Sequence, residues 1–412
     1  MDERGLYETL LGLRKPWLVE RVEVRPKEEE VWVYVEPHAE AELRCPECNE
    51  VAPGYDRSEE RRWRHLDTCQ FRTIVVSRVP RVRCRTHGVR QVKVAWADDR
   101  ARFTSLFEAW AIRLLEETTL LGTAQLLGIS WEEASGIFHR AVDRGLARRK
   151  DEPLHVLGVD ETSFQKRHEY VTVVADLERD RVLWVGEARR QETLSEYWKT
   201  IPAAKLNELS AIVMDMWDPY IAATRELVPE GTKKIVFDRF HVVQHLNRAV
   251  DDVRRAEQRE LRMSGRLSRL KSLAGTRYLW LRGSRTRSRA DRERIETMRR
   301  SGYKVGRAWA IKEAAADLWT AKTRDSGESL FKSWYSWVVR SRLPAMSKAA
   351  KTLRHYLAGI LAYIDHPYTN AMTEGLNSKI QEIKYRARGY RNRENFRLAI
   401  LFHCGKLNMS PL

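Results

Sequence analysis

The chain has 412 residues, with 74 Lys+Arg against 57 Asp+Glu and a formal charge of +17. That length suits roughly two to three domains with self-sufficient cores; five cysteines are too few for a disulfide scaffold, no apolar run nears the ~18 residues of a membrane span, and the opening MDERGLYETL lacks a signal-peptide layout. The reading is a cytoplasmic protein with no membrane partner, and its basic excess selects a polyanion, nucleic acid first.

Residues 1–100 alternate apolar and polar positions (VWVYVE, RTIVVSRV, VRQVKVAW), the pattern of half-buried strands. Within them Cys45-Pro-Glu-Cys48 is answered by Cys84-Arg-Thr-His87. A C-x2-C knuckle with a C-x2-H knuckle can set four soft ligands around one tetrahedral Zn²⁺. Gly88, just past the second knuckle, suits a tight turn. Two unrelated cysteine pairs are the bland alternative, and the matched spacing weighs against it. Cys69 and Cys404 read as buried small hydrophobes, and His65 as a weaker alternative ligand. The expectation is a β-rich, zinc-binding module facing DNA.

Residues 101–150 lose the alternation and read as helices. In TLLGTAQLLGISWEEASGIFHRAVDRGLARRK, from Thr119 to Lys150, one helix ends at Gly128 and Ser130 caps the next. Glu133, three residues on, completes a capping box. Ala124, Gly128, Ile137 and Val142 fall where a helix-turn-helix needs small, turning and core residues. His139, Arg140 and Arg144 are expected to be exposed on the second helix, facing a major groove. An ordinary helical hairpin has the same outline.

From about 151 to 250 strands and helices mix. Strands are expected over Val156–Val159, Tyr170–Leu177, Val182–Gly186, Ala211–Met214 and Lys234–Phe237, with helices in the later gaps. The first strand runs into an acidic pair, Asp160-Glu161; a carboxylate in a strand pairing is costly unless it is paired, caps, or holds a metal. Asp215 ends the fourth strand, and strand ends are where α/β sheets gather catalytic groups. Asp238-Arg-Phe-His241 follows the fifth. Residues 251–360 read as a mostly helical, basic insertion; residues 251–300 alone hold 16 Lys+Arg and 7 Asp+Glu, a net +9 (16 − 7). Arg282, Arg285, Arg287 and Arg289 crowd too densely for burial and are expected on DNA phosphate or in solvent. Trp309, Trp319, Trp334 and Trp337 fit a core better than a base-stacking platform, with Trp334 and Trp337 on one helix face.

The last stretch, about 361–412, reads as one more amphipathic helix and a basic tail. Glu374 lies on a helix whose Met372, Leu376, Ile380 and Ile383 keep helical spacing. Asp160, Asp215 and Glu374 together could hold two Mg²⁺ (or Mn²⁺) for phosphoryl transfer. Singly, Asp215 could cap a helix and Glu374 could be a solvated surface residue.

The stretches CPEC…CRTHG, GVDETSF, VMDMWDPY, FDRFHVVQHLNRAVDDVRR, NAMTEGLNSKIQ and ARGYRNRENFRLAIL cover nearly the whole chain in order. With them it resembles the ISL-three family of bacterial insertion-sequence transposases. The resemblance implies a multidomain α/β protein: a zinc-binding amino-terminal region, a helix-turn-helix, and an RNase H-like domain over 151–250 and 361–400 with a helical insertion. It places a DDE triad on Asp160, Asp215 and Glu374. It also singles out Asp238 and His241, where His241 would touch the scissile phosphate or orient the metals, while the bland reading of Asp238 is a helix cap. The function implied is a transposase that binds the terminal inverted repeats of its element and performs Mg²⁺-dependent cleavage and strand transfer on double-stranded DNA. It would act as a homodimer or higher oligomer, nucleoid-associated when bound. A zinc/helix-turn-helix regulator on an inactive catalytic fold, or a structure-selective nuclease, are the competing readings.

Overall fold

The computed structural model describes residues 2–99, 101–165, 169–283, 287–368 and 371–412. The chain divides into two units, residues 1–150 with 407–412, and residues 151–406.

In the first unit, β1 (Trp17–Arg25) and β2 (Glu30–Pro37) form an antiparallel hairpin. β3 (Gly54–Arg57), β4 (Arg61–Arg64), β5 (Arg72–Ser77), β6 (Pro80–Cys84) and β7 (Gly88–Gln91) follow. They build one sheet in the order β1-β2-β5-β4 and a second in the order β3-β6-β7. The period-two pattern does the sorting: Val31, Val33 and Val35 turn to one face of β2 and share a core with Trp63 and Val75. Trp96 closes that core edge-on against Trp17 and Trp63, with ring centroids 5.0 and 5.4 Å apart. Gly88 takes a φ of +68°, the left-handed turn expected there.

A short helix, Glu3–Leu10, precedes these strands, and the helices Ser105–Glu117, Leu120–Leu127 and Trp131–Ala147 follow them. Each of the last three is opened by a hydroxyl side chain, Thr104, Thr119 and Ser130, that accepts from a first-turn N–H. Ser130 and Glu133 form the reciprocal capping box, and Gly128 ends the middle helix at φ +61°. Ala124, Ile137 and Val142 are buried between the helices.

The second unit is built on a five-stranded sheet: β8 (Val156–Gln165), β9 (Glu169–Asp176), β10 (Arg181–Gly186), β11 (Ala211–Met214) and β12 (Ile235–Phe237). The order is β10-β9-β8-β11-β12. β8, β9 and β10 form an antiparallel meander, while β11 runs parallel to β8 and β12 parallel to β11. β8 is longer than its apolar run. It continues through Asp160 and Glu161 because β9 stays in register opposite them, Val173 against Asp160 and Thr172 against Glu161.

After β12 the chain enters the long helix Arg239–Met263. The helices of residues 264–365 pack on it, on one another or on β12, and their Trp280, Ile311, Trp334 and Leu353 belong to the same hydrophobic core as Leu157, Ile212 and Ile235 of the sheet. Trp309 and Trp319 pack against this core. Trp334 is buried and donates from Nε1 to the Ile311 carbonyl at 2.8 Å. Trp337, the next turn along the same helix, is 42% exposed and so is not part of this core. Helix Ala371–Arg386 then returns to β8, and helix Arg393–Cys404 follows. Gly158 on β8 lets the returning helix come close: a Cβ there would lie 2.9 Å from Thr373 Oγ1 and 2.8 Å from a Leu177 methyl.

Candidate active site

Asp160, midway along β8, and Asp215, just past the end of β11, are brought together by register. β8 and β11 are parallel with Val159 opposite Met214, so the next residue on each, Asp160 and Asp215, sits beside the other. Oxygens of Asp160, Glu161 and Asp215 all lie within 4.8 Å of one another. Asp160 is buried and accepts from Asn377 Nδ2 at 2.7 Å and from the Glu161 N–H at 2.8 Å. Burial, followed by the charges of Asp215 and Glu161, pushes its pKa up to about 7. Burial also raises Glu161, against the opposing pull of Arg189. Arg189 pairs with Glu161 at 2.8 Å and lies 4.0 Å above the Trp217 ring.

His241 Nε2 is 2.8 Å from Asp215 Oδ1 and 4.0 Å from Asp238 Oδ2. Burial disfavours its charged form, yet the hydrogen bond to Asp215 and the charges of Asp215, Asp238 and Asp160 outweigh this and raise its pKa. Asp238 caps helix Arg239–Met263, accepting from Phe240 N at 3.2 Å. The capping role and the placement of His241 at the acidic cluster therefore coexist: the cap fixes the first turn, and the first turn presents the imidazole.

Glu374 is not in the cluster. Its residue is exposed on helix Ala371–Arg386, while Thr373 beside it is buried. The same helix reaches β8 through Asn377, through Gln381, which donates to Thr162 Oγ1 at 2.6 Å, and through Lys384, which donates to the Ser163 carbonyl at 2.7 Å. Sequence reading singled out neither Asn377 nor Arg189, and Glu161 only as half of an acidic pair. Nothing in residue type or spacing announces a polar contact made 217 positions away, the separation of Asn377 from Asp160.

Cys45, Cys48, Cys84 and His87 form the other ligand-like group, with all four ligand atoms within 4.8 Å of one another. Cys45 Sγ and Cys84 Sγ lie 3.7 and 3.6 Å from His87 Nδ1, and Cys48 Sγ lies 3.6 Å from Cys84 Sγ. Tetrahedral zinc with Zn–S near 2.3 Å needs ligand atoms about 3.7 Å apart, so the residues fit the ion. Backbone N–H groups of Cys48 and His87 lower the Cys45 and Cys84 thiols, while burial and the two neighbouring thiols push Cys48 up to about 11. His65 is elsewhere, buried with Nδ1 2.8 Å from Thr104 Oγ1, and burial lowers its pKa to about 4. Cys404 is buried as expected; Cys69 is exposed, because it sits at φ +55° in the turn between Thr68 and Phe71.

The expected exposure of the helix-turn-helix and insertion arginines holds only in part. Arg144 has a side chain only 11% exposed; it pairs with Asp98 at 2.8 Å and Glu108 at 3.1 Å and donates to the Met409 carbonyl. Arg140 is half-buried and forks onto Glu108, whose side chain is almost wholly buried. The carboxylate inside the helical layer claims both guanidinium groups. His139 is half-buried. In the insertion, Arg287 is buried, donating to the Arg282 carbonyl, pairing with Glu313 at 3.2 Å and covering Trp309 at 4.9 Å. Arg282 and Arg289 are exposed, the latter 3.0 Å from Glu293. Arg285 lies outside the described residues.

A strand-built acidic site, a Cys3His cluster and a capped helix-turn-helix together define a DNA transposase of the insertion-sequence class, and the comparisons agree. Residues 157–400 match the ISL3 model described as transposase. Residues 41–87 match the zinc-finger of transposases IS204/IS1001/IS1096/IS1165, and residues 92–142 the helix-turn-helix domain of transposase family ISL3. The chain belongs to the ISL3 family of transposases. It is 29% identical over 406 residues to the transposase for insertion sequence element IS1001 of Bordetella parapertussis, spanning 97% of this chain and 98% of that one. It is 25% identical over 413 residues to the transposase for element IS1557 of Mycobacterium tuberculosis, spanning 94% and 92%. No helix among the described residues is long and apolar enough to cross a membrane.

Proposed function

We propose that this transposase binds the terminal inverted repeats of its element and catalyses Mg²⁺- or Mn²⁺-dependent cleavage and strand transfer, as a homodimer or higher oligomer, on an RNase H-like domain. The observation that carries the reading is the side-by-side placement of Asp160 on β8 and Asp215 after the parallel strand β11, with Glu161 against them. Carboxylates so close repel one another, and a hard divalent cation relieves that repulsion. Glu161 Oε2, buried with no hydrogen-bond partner among the described residues, is a further sign that the set fits a cation. The sheet order, with an antiparallel meander followed by two parallel strands, supports the RNase H-like reading.

In this account Asp160 and Asp215 hold the metals, and Glu374 completes the set from helix Ala371–Arg386. It lies three residues from Asn377, hence on the same side of the helix as the residue that already reaches Asp160. The bound metals would supply an activated attacking oxygen and stabilisation of the leaving oxygen. Asn377 orients Asp160, and His241 orients Asp215 and donates a proton toward it. The zinc module and the helix-turn-helix carry end recognition, with Arg282 and Arg289 available to phosphate. Incubating the protein with its element's end DNA and Mg²⁺ tests the reading. Cleavage with joining to a target supports it; cleavage without joining indicates a nuclease, and binding without cleavage a regulator.

A further inference from the structure

Glu161 stands outside the Asp160–Asp215–Glu374 set yet shares the site. Its side chain is 13% exposed, Arg189 holds one oxygen at 2.8 Å, and the other oxygen is buried without a hydrogen-bond partner among the described residues. A buried acceptor left unmet is costly, and three carboxylates in one space call for positive charge. Two side chains supply it. His241 touches Asp215 and Arg189 touches Glu161. Besides the Glu161 pair, Arg189 is held by stacking, 4.0 Å above Trp217 and 5.9 Å from the Tyr170 ring centre, and its Nε is buried with no partner among the described residues. A guanidinium held by a ring face can pivot without breaking a hydrogen-bond network, and its planar fork matches a phosphate as well as a carboxylate.

We propose that Glu161 is a further metal-binding carboxylate of this site, and that Arg189 is its counter-ion without metal, turning to a DNA phosphate when a divalent cation takes its place. The inference rests on the cation-binding reading of Asp160 and Asp215. It explains why an arginine is built against a site that must bind a cation: the pair keeps the acidic cluster stable until metal and DNA arrive together.

The test is Mn²⁺ titrated into the full-length, zinc-loaded protein without DNA, followed by calorimetry. Glu161→Gln is expected to weaken Mn²⁺ binding by about 10–100-fold, the range seen when a metal site loses a supporting group. Arg189→Gln is expected to tighten it roughly fivefold by removing a competing charge, and to have no effect in the Glu161→Gln background. Arg189→Lys, which retains the charge, should stay near the parent and guards against a folding defect in the glutamine variant. Unchanged affinity in Glu161→Gln, alongside lost affinity in Asp160→Asn, overturns the proposal and leaves the underlying reading intact. Unchanged affinity in both overturns the reading as well. Equal tightening by Arg189→Gln with and without Glu161 overturns the counter-ion role.

Discussion

Asp160 is held toward its neutral form by burial and by the charges beside it, with a pKa pushed up to about 7. In the unfolded chain it titrates in the ordinary carboxylate range, so between the two values the folded protein binds the extra proton. Its contribution therefore favours folding at acidic pH and is lost as pH rises through about 7. Asp160→Asn should raise the melting temperature of the metal-free catalytic unit near pH 8 and have less effect near pH 5, which paired thermal melts would register. A fall in stability at the higher pH would contradict the assignment. Arg144 behaves in the opposite sense, as a structural cation. Truncating Arg144→Ala strips a partner from the buried Glu108 and should cost about 2–3 kcal/mol in denaturant unfolding, the low end for breaking a buried pair because Arg140 stays in place. An unfolding midpoint equal to the parent's would return Arg144 to the list of free DNA-reading side chains.

Among the elements, the zinc ribbon and the insertion make separable predictions. Zinc binding supplies folding energy to small modules, so Cys84→Ser or chelation should release about one zinc per chain and unfold the ribbon, while the catalytic unit still melts cooperatively. Zinc analysis alongside calorimetry would decide it, and a metal-free ribbon that melts normally would contradict the Cys3His assignment. In the insertion, Arg282 and Arg289 are the exposed pair of the four arginines singled out. Replacing both with Gln should flatten the salt dependence of DNA binding by about two units of slope, near one per phosphate contact. Arg287→Gln should instead destabilise the packing around Glu313 and Trp309 and leave the slope unchanged. Element boundaries were legible where chemistry is local: the Ser130–Glu133 box, the Gly128 stop, the period-two valines of β2 and the paired knuckles all stood where their residue types place them. Side-chain roles were legible less often, because they depend on partners distant in sequence. Glu108 captures Arg140 and Arg144 from another helix, and Glu313 buries Arg287.

Across the whole molecule, a zinc ribbon and a helix-turn-helix precede a five-stranded sheet that the chain leaves after β12 and rejoins at Ala371–Arg386. That return explains both the success and the limit of the sequence reading. Asp160 and Asp215 each follow an apolar run, Val156–Val159 and Ala211–Met214, so their partnership could be seen from pattern alone. Glu374 rides exposed on a helix seated against β8 at Gly158 and Asn377, and no periodicity specifies which way its side chain turns. The most direct test of the central claim is single-turnover cleavage and joining of terminal-repeat DNA in Mg²⁺ by Asp160→Asn, Asp215→Asn and Glu374→Gln, with end binding measured on the same samples. The account predicts that all three lose cleavage and joining while binding the ends as the parent does. Cleavage at the parent's rate by any one of them would contradict it.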